Sequence, residues 1–218
     1  MTLNIETHRG ITTNPNPKHE SKFRIVKNRL DQCTLSLPRI DDKKRFAGYP
    51  GLTGWSKQLA SLVPSCKFYV EPFAGMAKVY QELDKSRIQY CILNDKAKPL
   101  TKILKKLFPE SNVTNTDYSY CIKKYDTAET FFLIDAPWYE NYYAQGFSSF
   151  TEKKIKNYDE KILDLCKNIT GKFIITSKEK KIFKNSGFTN KKLKGIYPVC
   201  GNYPELFITT NLSVEDLN

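Results

Sequence analysis

The chain reads as an α/β protein with a mostly parallel central sheet and helices on both faces. Three observations predict this. Short apolar runs alternate with stretches of helical periodicity, as in successive strand–helix units. One run, Phe131-Phe132-Leu133-Ile134, has no polar position, which suits a strand buried on both faces. Several runs end in an acid, at the edge where open α/β sheets hold their ligands.

A chain of 218 residues can enclose one domain with a full core. Its 35 Lys+Arg against 23 Asp+Glu give a net charge of +12. Such an excess favours a polyanionic partner, nucleic acid first and acidic membrane surfaces second. The charge is spread along the chain, as on one face of a folded domain. The six cysteines form no C-x-x-C pair and no Cys/His cluster with zinc spacing, so no metal is expected. Cys91, Cys121 and Cys166 fall in apolar or mixed stretches and read as reduced core residues. The two histidines, His8 and His19, lie in a polar N-terminal segment, which argues against a His-based triad. Without a signal-peptide pattern or a membrane-spanning run, an intracellular protein is expected, neither secreted nor membrane-bound.

Residues 1–47 read as a tail or arm. The first 20 or so are rich in Thr, Asn, Pro and Lys and poor in apolar residues, as in mobile termini. Residues 22–47 scatter apolar positions among charges. They suit a packed edge element or an arm for DNA or a partner. Residues 48–218 hold the folded domain. Tyr49-Pro50-Gly51-Leu52-Thr53-Gly54 is turn chemistry ahead of a helix carrying Trp55, Leu59, Leu62 and Val63. That turn is a plain helix entry or a cradle for a carboxylate or phosphate.

Lys67 to Val70 predicts the first strand. Glu71-Pro72-Phe73-Ala74-Gly75-Met76-Ala77 follows, then a helix with Val79, Tyr80 and Leu83. This strand, glycine turn and helix resemble the opening of a nucleotide-binding unit, and Gly75 would let a ligand approach the backbone. Ile88 to Leu93 predicts the second strand, tipped by Asn94-Asp95. An acid there, roughly 20 residues past a glycine turn, is where such folds hold ribose hydroxyls. Leu100, Ile103, Leu104 and Leu107 mark a helix that ends at Pro109. Val113 to Asp117 predicts a short third strand, and Phe131 to Asp135 the fourth. Glu71, Asp95, Asp117 and Asp135 thus end four successive strands. One such acid is commonly a solvated cap, but four together suggest a shared site.

After Asp135 come Ala136, Pro137 and Trp138. A carboxylate, a peptide carbonyl at Ala136 and a flat ring held by a stiff turn suit an aromatic amine, such as a nucleobase held out of its stack. The plain alternative is a strand exit with an incidental acid. Tyr139, Tyr142, Tyr143, Phe147 and Phe150 follow closely, with Lys153, Lys154 and Lys156 behind them. This is a base-stacking surface with phosphate-binding rims, or a hydrophobic lid. Thr151 predicts the cap of a helix with Ile155, Tyr158, Ile162, Leu163 and Leu165. Lys172 to Thr176 predicts a fifth strand, and Phe207 to Thr210 a strand that closes the sheet.

In order along the chain, these segments resemble the motifs of the Dam-type DNA adenine methyltransferases. Glu71-Pro72-Phe73-Ala74-Gly75 is similar to that family's glycine motif, and Ile92-Leu93-Asn94-Asp95 to its ribose segment. Asn115-Thr116-Asp117-Tyr118 is similar to the segment at the cofactor's adenine. Asp135-Ala136-Pro137-Trp138 is similar to the D-P-P-Y motif, and residues 205–211 to the C-terminal strand. Tyr49-Pro50-Gly51 is a weaker match to the N-terminal cofactor motif. The resemblance spans roughly residues 47 to 211.

The resemblance implies a Rossmann-like class I methyltransferase fold and the cofactor S-adenosylmethionine. It places Glu71, Pro72, Phe73 and Gly75 by the methionine end of the cofactor, with Tyr49 and Gly51 near it. It gives the ribose to Asp95 and the cofactor's adenine to Asp117. Asp135 and the Ala136 carbonyl would accept hydrogens from the target amino group. Pro137 would stiffen the turn, and Trp138 would stack on the flipped base. Tyr139, Tyr142, Tyr143, Lys153 and Lys154 would touch nucleic acid.

The chain departs from the family at Ala136, which replaces a proline, and at Trp138, which replaces tyrosine. Ala77 and Lys78 stand where further small residues are usual. Roughly 40 positions separate Asp95 from Asp135, room for one helix and one strand and none for a target-recognition domain. Specificity is then low, or comes from residues 1–47, from the Tyr139–Phe150 loop, or from a protein partner. Methylation of adenine in DNA is the first expectation, which places the protein in the cytoplasm or wherever the genome resides. RNA as substrate and a silent methyltransferase-like binding module are the alternatives.

Overall fold

The structure, a computed structural model, describes Leu52 and residues 54–137, 158–195 and 205–217. Among them, seven strands form one sheet: β1 (Cys66–Glu71), β2 (Ile88–Asn94), β3 (Asn112–Thr114), β4 (Thr130–Ile134), β5 (Lys172–Ser177), β6 (Thr189–Lys194) and β7 (Glu205–Thr210). Their order is β3-β2-β1-β4-β5-β7-β6. The first five are parallel, and β7 runs antiparallel between β5 and β6. The helices are α1 (Ser56–Ser61), α2 (Lys78–Glu82), α3 (Lys98–Leu107), α4 (Tyr118–Tyr125), α5 (Tyr158–Cys166) and α6 (Lys181–Lys184).

Burial explains the strand pattern. Every residue of β4 is buried, as its unbroken apolar run requires. Alternation sorts the two faces of β1. Tyr69 and Glu71 turn toward α2, where Tyr80 stacks at 6.2 Å from the Tyr69 ring and its N–H reaches Glu71. Val70 turns the other way, into a core with Phe132, Ile134, Ile122 of α4 and Ile162 of α5. Cys91, Cys121 and Cys166 are buried free thiols, as their surroundings in the chain suggest.

The helices follow from local chemistry. Pro99 opens α3, where its missing N–H is harmless, and Leu100, Ile103 and Leu104 line its buried side. Asp117 caps α4 by accepting from the Ser119 N–H at 3.0 Å. At the other end of α4, Asp126 accepts from the N–H groups of Thr170 and Gly171 at 3.0 Å. That contact ties the α4 exit to the start of β5.

The sheet differs from expectation in three places. The Phe207–Thr210 strand does not close the sheet: β7 fills an inner slot and β6 forms the edge. β6 has one fully buried side chain, Leu193, so it carries no alternation to read. The third strand stops at Thr114, and Asp117 belongs to the α4 cap instead. Two helices, α3 and α4, rather than one fill the interval from Asp95 to Asp135.

Candidate functional site

The order of the sheet reverses direction between β1 and β4. Ligands of open α/β sheets lie beyond the strand ends at such a point. Here the ends of β1, β2 and β3 are joined by side chains of β2 and of the residue after it.

Asn94 does most of this joining. It is wholly buried. Its Nδ2 donates to the Pro72 carbonyl at 2.9 Å and to the Thr116 carbonyl at 3.1 Å. Its Oδ1 accepts from Thr114 Oγ1 at 2.8 Å, the Thr116 N–H at 2.9 Å and Thr116 Oγ1 at 3.0 Å. One amide thus ties the glycine turn after β1 to the loop after β3.

Asp95 adds a second tie. Its Oδ2 accepts from the Gly75 N–H at 3.1 Å and its Oδ1 from the Ala97 N–H at 2.8 Å. Burial raises its pKa, while these two N–H groups pull the other way. Gly75 has φ 52°, a left-handed backbone that suits glycine, with open space where a Cβ would stand. Ala77 also lies in this region, at φ 51° and ψ 45°, fully buried at the head of α2. A residue with a Cβ costs roughly 1–2 kcal/mol there. The turn is therefore held in shape before any ligand arrives.

Glu71 is buried at the tip of β1, where its Oε1 accepts from Tyr69 Oη at 2.6 Å and from the Tyr80 N–H at 3.2 Å. Burial pushes its carboxyl up to about 8, against the pull of those two hydrogen bonds. The charge of Asp135 at the tip of the adjacent strand raises it further. At neutral pH this carboxyl is mostly protonated.

Asp135 is half-buried just past β4. Thr176 Oγ1 on β5 lies 2.5 Å from its Oδ1. Ala136 is buried and Pro137 half-buried beside it. Asp117 stands apart from this pair. Its Oδ1 caps α4 and its Oδ2 meets Lys96 Nζ at 3.4 Å. Burial would raise its pKa, but the Ser119 hydrogen bonds and Lys96 outweigh that and lower it. Phe73 stacks on Tyr118 at 4.9 Å, and Tyr158 meets both rings.

The structure therefore brings Glu71 and Asp135 within electrostatic reach and joins Asp95 to Gly75. Pro72, Phe73 and Asp117 sit on the loops that Asn94 ties. Trp138, Tyr139, Tyr142, Tyr143, Lys153, Lys154, Tyr49, Gly51 and the 1–47 segment lie outside the described residues. Asn94, Thr176 and Tyr158 have structural parts that their place in the chain did not single out. An amide next to a strand-tip acid is the only advance signal of the first. Among the described residues, no group of three or more His, Cys, Asp or Glu is arranged to hold a metal ion. No helix among them is long and apolar enough to cross a membrane.

No family model matches the chain, and no curated protein matches it. It is similar in fold to solved structures. SMU.776, provisionally assigned as a methyltransferase and complexed with SAH, superposes with a TM-score of 0.50 at 14% identity, over 73% of this chain and 49% of that one. A provisionally assigned methylase, HI0767 of Haemophilus influenzae, gives 0.46 at 16% identity, over 81% of this chain and 92% of its own. The 23S rRNA methyltransferase ErmE gives 0.45 at 13%, over 76% and 71%. The sheet order and the SMU.776 likeness make this an α/β protein of the Rossmann-like class I methyltransferase fold.

Proposed function

We propose that the protein is an S-adenosylmethionine-dependent methyltransferase acting on the exocyclic amino group of adenine in nucleic acid, with DNA as the first substrate. The observation that carries this reading is Asp135, hydrogen-bonded to Thr176 at the point where the sheet order reverses, with the Ala136 carbonyl next in the chain.

The residues beside this point suit the cofactor. Each Asp95 oxygen accepts one N–H and keeps capacity for a hydroxyl donor, as a ribose diol requires. Gly75 leaves open space where a side chain would stand. Asp95 would hold the ribose, and Glu71, Pro72, Phe73 and Gly75 would border the methionine end. Asp117 would lie by the cofactor's adenine. When bound, S-adenosylmethionine supplies an already activated methyl group.

The chain's own task is then alignment and charge. An adenine amino nitrogen is a weak nucleophile because its lone pair is delocalised into the ring. The Asp135 carboxylate and the Ala136 carbonyl would accept its two hydrogens, favouring a pyramidal nitrogen and stabilising the positive charge that develops on it. Trp138 would stack on the flipped base and offset part of the few kcal/mol that flipping costs. Tyr139, Tyr142, Tyr143, Lys153 and Lys154 would meet the strand, and Tyr49 and Gly51 the cofactor. The interval from Asp95 to Asp135 holds two helices and two strands of the sheet, α3, β3, α4 and β4. Target choice would thus come from elsewhere in the chain or from a protein partner.

The test is calorimetric titration with S-adenosylmethionine, then transfer of a tritiated methyl group to unmethylated duplex DNA and to adenine-containing RNA. Binding with transfer to adenine in DNA supports the reading. Transfer to RNA alone moves the substrate, since the two acceptors address an amino group and no sugar. Failure to bind the cofactor overturns the enzyme in favour of a silent binding module.

A further inference from the structure

We infer that Thr176 is a positioning residue for methyl transfer, fixing the rotation of the Asp135 carboxylate; this rests on the function proposed above. Thr176 lies in β5, which runs beside β4 in parallel register with Ile175 opposite Ile134. The three residues before it, Phe173, Ile174 and Ile175, are apolar and all buried. Thr176 is 1% exposed. A hydroxyl at such a place is costly unless it is hydrogen-bonded. Its Oγ1 meets Asp135 Oδ1 at 2.5 Å, across 41 positions of chain.

An ionised carboxylate only accepts, so the hydroxyl donates. The bond sets the plane of a carboxylate whose terminal torsion is otherwise broad. Thr176 is well placed for this, because β5 is flanked on both sides by strands and its backbone is fixed by β4 and β7. A loop residue would hold the carboxylate less rigidly.

Thr176→Val keeps the shape and β-branching and removes only the donor. Thr176→Ser keeps the donor and removes a methyl group. Each purified variant is compared with wild type for thermal unfolding, S-adenosylmethionine affinity, KM for the nucleic acid and kcat. The expected result is a kcat lowered about 10- to 100-fold in T176V, as for a misplaced reacting group. Cofactor affinity and KM stay as in wild type, and T176S recovers most of the rate. Wild-type kcat in T176V overturns the inference while the proposed function stands. Equal losses in T176V and T176S also overturn it, because they point to packing. A wild-type protein that binds cofactor but methylates no adenine, or binds none, overturns the function itself and this role with it.

Discussion

Asn94 donates to the Pro72 carbonyl at 2.9 Å while accepting from the Thr116 N–H at 2.9 Å, so one buried amide spans the loops after β1 and β3. Asn94→Ala strands two carbonyls and an N–H in a water-poor site. Losing such partners costs roughly 3 kcal/mol or more. Urea unfolding should show this as a lower midpoint, and the loosened glycine turn should weaken cofactor binding. A variant of wild-type stability would show that the loops hold without the amide.

Glu71→Gln tests the buried carboxyl. The group titrates at 4.5 when unperturbed and near 8 in the fold. Between those values the folded protein keeps a proton that the unfolded chain has released. The stability Glu71 allows is therefore complete below about pH 4.5 and lost as pH rises through 8, a change on the order of 5 kcal/mol at most. Gln keeps an acceptor for Tyr69 and Tyr80 but does not titrate. The Tm advantage of E71Q should be smallest near pH 4.5 and grow toward pH 8; a difference that stays flat with pH contradicts the assignment.

Gly171→Ala should destabilise through contact with backbone. A Cβ there would lie 2.6 Å from the Thr130 carbonyl oxygen and 2.9 Å from that of Thr127. Neither can rotate away, so the starts of β4 and β5 must separate. Overpacking of this kind costs about 1–3 kcal/mol. Chemical denaturation measures it, with an unchanged midpoint as the contrary result.

Asp135→Ala should abolish methyl transfer and leave S-adenosylmethionine affinity nearly intact, because the acid is assigned to the target base. Single-turnover assays beside calorimetry read both. Near-normal turnover would remove Asp135 from the mechanism.

Asp95→Ala should do the reverse and weaken cofactor binding. A charge-assisted hydrogen bond is worth about 1.5–3 kcal/mol, or roughly 10- to 150-fold in affinity. The Gly75 and Ala97 N–H groups also lose their acceptor, so the loss should include a less ordered turn. Unchanged affinity would leave Asp95 a structural tie and nothing more.

The parallel half of the sheet was legible in the chain because its strands are apolar runs with acids or turns at their ends. β4 is the clearest case, since it is buried on both faces and unbroken in apolar residues from Phe131 to Ile134. β6 was hidden for the opposite reason. Thr189-Asn190-Lys191-Lys192-Leu193-Lys194 is an edge strand in which Lys192 meets Glu179 and Glu205 and Lys191 reaches the Leu217 carbonyl, so it looks like loop. Asp117 reads equally well as a strand tip or a helix cap, and only the short β3 decides for the cap. Thr176 passes for an ordinary β-branched strand residue until its partner is known. Asn94 and Thr176 both act across about 20 to 40 positions of chain, and no local pattern carries such pairings.

The slot that β7 occupies has a consequence for how the protein is made. β6 is synthesised before β7, yet among the described residues it pairs with β7 alone. As the chain leaves the ribosome, the edge of β5 that β7 will take is open, and β6 waits for β7 until residues 205–210 emerge. Folding of this half cannot proceed strand by strand in order of synthesis. The nascent chain meanwhile carries an unpaired sheet edge, the kind of surface that chaperones shield and that aggregation exploits.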